Sequence, residues 1–325
     1  MRLLTLCCLV TFSSAIPLFG YPPPGFGPPG FGSSNSTATN QVKVVVKGKY
    51  RYIYSNGIPD HQPGQFPNRN NPNTIRPQHY EFRVTMEPKM SRNPTPVGHS
   101  LFGVAANGVV FDAETAEFWN RNHSSGWNYE AKSGKINLGL DQSNAHVQPT
   151  GSYHYHGLPT GLIQKQGKAG EVTLIGVAAD GFPIYAQYGY SDAEDAESKV
   201  QKMKSSYRIK KGTRPSGPRG KYDGTFVADY EYVAEAGDLD ECNGRFGVTP
   251  EYPEGIYHYY ITEDFPYIPR QWRGSPDPSF MKRGPGPGGR GRRGFGPPPF
   301  GGPPPGFGQR QGFGQSQGSG RSFNN

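Results

Sequence analysis

Two blocks of this sequence occur twice, in the same order, and a chain built this way has few folds open to it. Gly103-Val104-Ala105-Ala106-Asn107-Gly108 returns as Gly176-Val177-Ala178-Ala179-Asp180-Gly181. Each copy carries Asn-Gly or Asp-Gly between apolar residues, the strongest short-range hairpin signal a sequence offers. The second block starts at Leu140-Asp141-x-x-Asn144-Ala145 and leads to Tyr153-His154-Tyr155-His156. Its copy starts at Leu239-Asp240-x-x-Asn243-Gly244 and leads to Tyr257-His258-Tyr259-Tyr260, with five more residues on the way. Two blocks repeating in one order predict two related half-domains about a pseudo-two-fold axis. Two copies are too few for a solenoid.

Low-complexity sequence bounds this region. Residues 16–41 and 282–325 are rich in Gly, Pro and isolated Phe, as in Pro22-Pro23-Pro24-Gly25-Phe26-Gly27 and Pro303-Pro304-Pro305-Gly306-Phe307-Gly308. Such sequence cannot bury a core, and Gly does not recur every third residue as collagen requires. Two arms are expected, extended and able to self-associate weakly, around a globular core at residues 42–281. Residues 1–15 have a charged start, an apolar run and Ser13-Ser14-Ala15, which reads as a secretory signal cleaved after Ala15. The protein is therefore expected outside the cell, with no membrane span and with Asn35 and Asn122 as glycosylation sequons.

Net charge is +8, but its placement matters more. Lys282, Arg283, Arg290, Arg292, Arg293, Arg310 and Arg321 form a basic tail without acids, and Arg2 lies in the signal. The core is left near neutral. Nucleic acid is not the expected partner of a secreted chain; an acidic polymer or a mineral-associated matrix is. Of the cysteines only Cys242 lies beyond the signal, which excludes a disulfide-stapled framework.

Residues 42–46, 50–54 and 80–86 read as strands, rich in β-branched and aromatic residues. Ser191-Asp192-Ala193-Glu194 has capping-box spacing and predicts a helix over 191–203; a shorter helix is expected after Asp112. The class is mainly β, with few short helices and long loops.

Tyr153-His154-Tyr155-His156-Gly157-Leu158-Pro159 resembles the signature of the YHYH family. The resemblance extends through Gly176 to Tyr185, Leu239 to Arg245, and Gly255 to Pro269, so it spans roughly residues 95–274. It implies a cysteine near position 271 as partner for Cys242; here the stretch reads Pro269-Arg270-Gln271-Trp272, so that bridge is not expected. The resemblance brings no particular reaction with it. The arms, by composition alone, are similar to those of secreted matrix proteins of shells and coral skeletons.

In a strand, residues two apart face one side. His154 and His156 then present two imidazoles together, with Tyr153 and Tyr155 facing away. Such a pair suits Zn, Cu or Fe. The repeat adds His258; His146 and His99 are further candidates, with Asp141 and Asp240 placed to orient the rings as outer carboxylates. Alternating Tyr and His is equally the pattern of a half-buried strand whose imidazoles bond backbone carbonyls, and Asp or Asn before a loop commonly caps a turn. No nucleophile elbow or phosphate-binding glycine loop is present. The expected function is an extracellular matrix protein with a metal- or ligand-binding core, and the competing one is a secreted metal-dependent enzyme or metal carrier.

Overall fold

The Asn-Gly and Asp-Gly dipeptides close hairpins, as their sequence predicts. Gly108 N–H donates to Ala105 O at 2.8 Å and Ala105 N–H to Val109 O at 2.8 Å. Gly181 and Ala178 repeat the arrangement with Ala178 and Phe182 at 2.9 Å each. These hairpins lie at the middle of the protein in a computed structural model that describes residues 38–282. The expected signal, Asn35 and nearly all of both arms lie outside the described residues.

In chain order the strands are β1 (Val42–Lys47), β2 (Tyr50–Ser55), β3 (Tyr80–Thr85), β4 (Thr95–Pro96), β5 (Gly103–Ala105), β6 (Val110–Phe111), β7 (Ala145–Val147), β8 (Tyr153–Tyr155), β9 (Leu174–Ala178), β10 (Pro183–Tyr185), β11 (Tyr188–Tyr190), β12 (Val200–Lys202), β13 (Tyr207–Ile209), β14 (Tyr230–Tyr232), β15 (Gly244–Thr249), β16 (Tyr252–Tyr260) and β17 (Gln271–Trp272). β1, β2 and β3 form an antiparallel meander over the three segments expected to be strands.

The main sheet has eight strands in the order β15-β16-β10-β9-β5-β6-β8-β7. Read inward from either edge, the pairings run antiparallel, parallel, antiparallel, and meet at the antiparallel β5–β9 pair. The strands at matching positions from the two edges are those that carry the repeated blocks. At the central pair, a Cβ on Gly103 would meet Val177 O at 2.5 Å, and one on Gly176 would meet Val104 O at 2.5 Å. Glycine at the head of each repeated block thus lets β5 and β9 lie close together.

The core packs on one face of this sheet. Tyr153, Tyr155, Phe102, Phe111, Ile175, Ile184 and Tyr259 are fully buried there, with Trp272 donating its indole N–H to Phe102 O at 2.9 Å. Tyrosine hydroxyls need partners once buried. Tyr155 accepts from Asn107 Nδ2 at 2.9 Å, and Tyr259 donates to Asp180 Oδ2 at 2.5 Å. Each bond ties a β-strand tyrosine to the turn residue of a repeated hairpin.

The helix expected over 191–203 does not form. Asp192 accepts from Glu194 N–H at 3.0 Å and Asp195 from Glu197 N–H at 2.9 Å, while Ser198 Oγ donates to Asp195 O at 2.8 Å. Side chains that bond the backbone locally compete with a helix, and here they win. β12 follows, paired with β11. Nor does a helix start at Asp112: its Oδ1 accepts from Glu114 N–H at 3.2 Å, a turn, and the chain continues to short 3₁₀ turns at Trp119–Arg121 and His123–Ser125. The single α-helix among the described residues, α1 (Thr160–Gln166), follows Pro159 and buries Leu162.

Candidate metal centre

His146, His154 and His156 meet on the face of the main sheet opposite the tyrosines. β7 pairs antiparallel with β8 so that His146 stands opposite His154. Directly opposed residues share a face. His156 is two residues on from His154 and joins the same face, while Tyr153 and Tyr155 turn into the core. The rings are 4.6–4.9 Å apart, centroid to centroid, in edge-on contact. His156 Nε2 lies 3.2 Å from His146 Nε2 and 3.0 Å from His154 Nε2.

The far nitrogens settle which ring atom carries hydrogen. His146 Nδ1 is 3.0 Å from Leu138 O, and His154 Nδ1 is 3.1 Å from Ser152 O. A carbonyl only accepts, so both Nδ1 atoms are donors and both Nε2 atoms present lone pairs when the rings are neutral. Burial pushes the pKa of all three imidazoles down, well down for His154 and His156, and so holds them neutral. His156 has one hydrogen at most to offer on Nε2, and two lone pairs face it.

This is the geometry of a cation site. Three imidazole nitrogens at about 2.0–2.1 Å from a tetrahedral ion are about 3.3 Å from one another, close to the 3.0 and 3.2 Å found here. The backbone carbonyls at Leu138 and Ser152 supply the outer bonds that orient metal-binding rings. Among the described residues this is the one group of three or more potential ligands that can hold an ion, and all its ligand atoms lie within 4.8 Å of one another. The all-nitrogen set suits a transition metal and not Ca²⁺ or Mg²⁺, which take oxygen. The charge of Glu117 reaches His146. Glu117 also lines a cavity of about 440 Å³ with Phe118, Tyr129 and Ile136.

The remaining candidates are placed elsewhere. His258 stands apart from the cluster: its Nδ1 bonds Ile256 O at 2.9 Å and its Nε2 meets Tyr260 Oη at 2.8 Å. Arg245 is opposite it in the ladder, where His146 is opposite His154. That half of the sheet therefore offers a guanidinium and a phenol where the other offers two imidazoles. Burial pushes the His258 pKa down to about 4. His99 is not in the cluster either; its carbonyl accepts from Lys282 N–H at 3.2 Å.

Asp141 and Asp240, expected to orient imidazoles, instead organise the loops and the tyrosines. Asp141 accepts from Ser143 N–H at 2.8 Å and from Tyr153 Oη at 2.6 Å. Asp240 accepts from Cys242 N–H at 2.9 Å and from Tyr257 Oη at 3.0 Å. Asn144 and Asn243 follow in positive-φ conformation, and their carbonyls take the N–H groups of His156 and Tyr260 at 2.7 and 3.0 Å. These loops fix where the Tyr-His strands start, so they position the rings at one remove. Asn122 is exposed and caps the turn at Ser124 N–H. Cys242 is a free, buried thiol, and Gln271 donates to the neighbouring Glu241 O at 3.4 Å.

Residues 81–274, more than half of the chain, match the family model described as YHYH protein. No curated protein matches the chain, and no solved structure does. The histidines of the Tyr-His-Tyr-His run are two of the three that converge, and the chain belongs to the YHYH protein family.

Proposed function

We propose that this is a secreted protein whose core holds a transition-metal ion on His146, His154 and His156, and whose Gly/Pro/Phe-rich arms join that core to an extracellular, mineral-associated matrix. The observation that carries the metal reading is the convergence of three buried imidazoles, two of them with lone pairs fixed inward by Nδ1–carbonyl bonds. The secreted and matrix parts rest on sequence: the signal-like first fifteen residues, the sequons and the composition of the arms. The mirrored strand order supports a doubled ancestral unit, in which one half kept the imidazoles and the other took Arg245 and Tyr260.

A second reading, a metal-dependent enzyme, is favoured by one observation: among the described residues no fourth side chain joins the set. Catalytic zinc sites use three protein ligands and leave the fourth to water or substrate. A carrier needs the same site without turnover.

Elemental analysis of the secreted full chain, made without a polyhistidine tag, decides the metal question. We expect about one equivalent of Zn, Cu or Fe per chain, absent from a folded His154→Ala/His156→Ala variant. No metal in the parent protein, even after incubation with salts of all three, would end the metal reading. Turnover lost in that variant would favour the enzyme over the matrix module. Immunolabelling that found the protein only inside cells or free in body fluid would end the matrix part.

A further inference from the structure

Asp112 lies beside the histidine cluster with one carboxylate oxygen fully committed and the other bare. Its N–H donates to Tyr155 O at 3.0 Å, which continues the parallel β6–β8 register by one residue. Val110 stands opposite His154 and Phe111 opposite Tyr155, so Asp112 falls beside His156. Phe111 shares the core face with Tyr155, their rings 5.6 Å apart. Alternation then puts Asp112 on the imidazole face. The residue is 1% exposed. Oδ1 accepts from Lys282 Nζ at 2.7 Å and from Glu114 N–H at 3.2 Å. Oδ2 is buried and has no hydrogen-bond partner. A buried carboxylate oxygen left unpaired is costly, and a native structure that keeps one has a use for it.

We propose that Asp112 is the outer carboxylate of the metal centre, accepting a hydrogen bond through Oδ2 from the ligand that completes the ion's coordination. This rests on the metal reading above. Asp112 is not among the groups whose ligand atoms lie within 4.8 Å of one another, so it acts through an intervening ligand and not as a fourth direct one. Because Oδ2 accepts, that ligand carries hydrogen: water, an alcohol or an amine. A bare anion such as azide would meet the carboxylate's repulsion. Lys282 holds Oδ1 and fixes the side chain, and its positive charge acts on both His154 and His156. The two members of the ion pair therefore act on a bound cation with opposite signs.

The test is metal affinity of the full chain, read by competition with a chromophoric chelator, together with the visible spectrum of the Co²⁺-loaded protein. Asp112→Asn should weaken Zn²⁺ and Co²⁺ binding by roughly 10–100-fold, shift the Co²⁺ bands, and let azide perturb them at concentrations that leave the parent spectrum unchanged. Lys282→Gln, which removes a cation at a partly exposed position, should tighten binding by roughly tenfold. If Asp112 serves only to hold the strand end at Lys282, Asp112→Asn will lower the melting temperature with affinity, spectrum and azide response unchanged, and the inference fails. Should Asp112→Asn not fold, Lys282→Gln decides: unchanged or weaker binding overturns the inference. A parent protein that binds no metal fails the metal reading itself, an outcome distinct from one in which the parent binds and the variants match it.

Discussion

Acid should unfold this protein early and steeply. His258 has its pKa pushed from the usual 6.5 down to about 4 by burial. The unfolded chain therefore takes up a proton near pH 6.5 that the folded chain refuses until about pH 4. The stability this neutral imidazole represents is complete above pH 6.5 and is lost as pH falls through that window. A displacement of roughly 2.5 pH units at 1.36 kcal/mol each gives about 3 kcal/mol. Asp180 acts with the opposite sign. Burial raises its pKa from 3.8 to about 6, so its contribution is complete below pH 3.8 and is lost as pH rises through about 6. That is again about 3 kcal/mol and cancels His258. The decision falls to His154 and His156, both held well below 6.5 by burial and by one another's company, with His146 adding in the same direction. At pH 5 the folded state then binds at least about two fewer protons than the unfolded, a slope near 2.7 kcal/mol per pH unit. A domain stable by about 5–15 kcal/mol exhausts that within a few units. Urea unfolding followed by tryptophan fluorescence, in EDTA from pH 7.5 to 4.5, measures the slope directly. A loss below about 1.4 kcal/mol per unit, fewer than one proton, or a gain in stability on acidification, would refute the reasoning. The His154→Ala/His156→Ala variant should show the flatter curve.

Two further predictions concern packing. Asp229 is fully buried and pairs with Arg214 at 2.6 Å; Asp229→Ala strands the guanidinium and should cost about 3–5 kcal/mol in urea unfolding, where a loss under 1 kcal/mol would show that solvent reaches the pair. Burial raises the Cys242 thiol pKa, and the residue is 0% exposed, so a chromogenic disulfide reagent should titrate no thiol at Cys242 in the folded protein and one after denaturation.

Local alternation and turn chemistry made much of this fold legible. β1, β2 and β3 follow from runs of Val, Tyr and Ile, and the hairpins from Asn107-Gly108 and Asp180-Gly181. The pairing of His154 with His156 on one face needed only the two-residue period. What the sequence could not supply was register across non-neighbouring strands. His146 joins the cluster because β7 lies antiparallel to β8 with a register that places it opposite His154, and His258 is kept out because Arg245 occupies the corresponding place. Asp112 belongs to the imidazole face only through the parallel β6–β8 pairing, which joins segments forty residues apart and leaves no periodic trace. The helix over 191–203 failed for a local reason: its acidic and hydroxyl residues bond their own backbone more favourably than they serve a helix.

β7 is the last strand of the main sheet, held by neighbours on one side only, and it contributes His146. His154 and His156 beneath it are 1% and 4% exposed. An ion seated among the three is therefore enclosed by a strand that is itself the first to fray. Its residence time is then governed by how often that edge lifts away, not by bond strength alone. Exchange with ions outside would be slow while the edge is closed, and equilibrium affinity and rate of turnover would part company: a centre that comes to equilibrium over long periods and ignores brief changes in its surroundings.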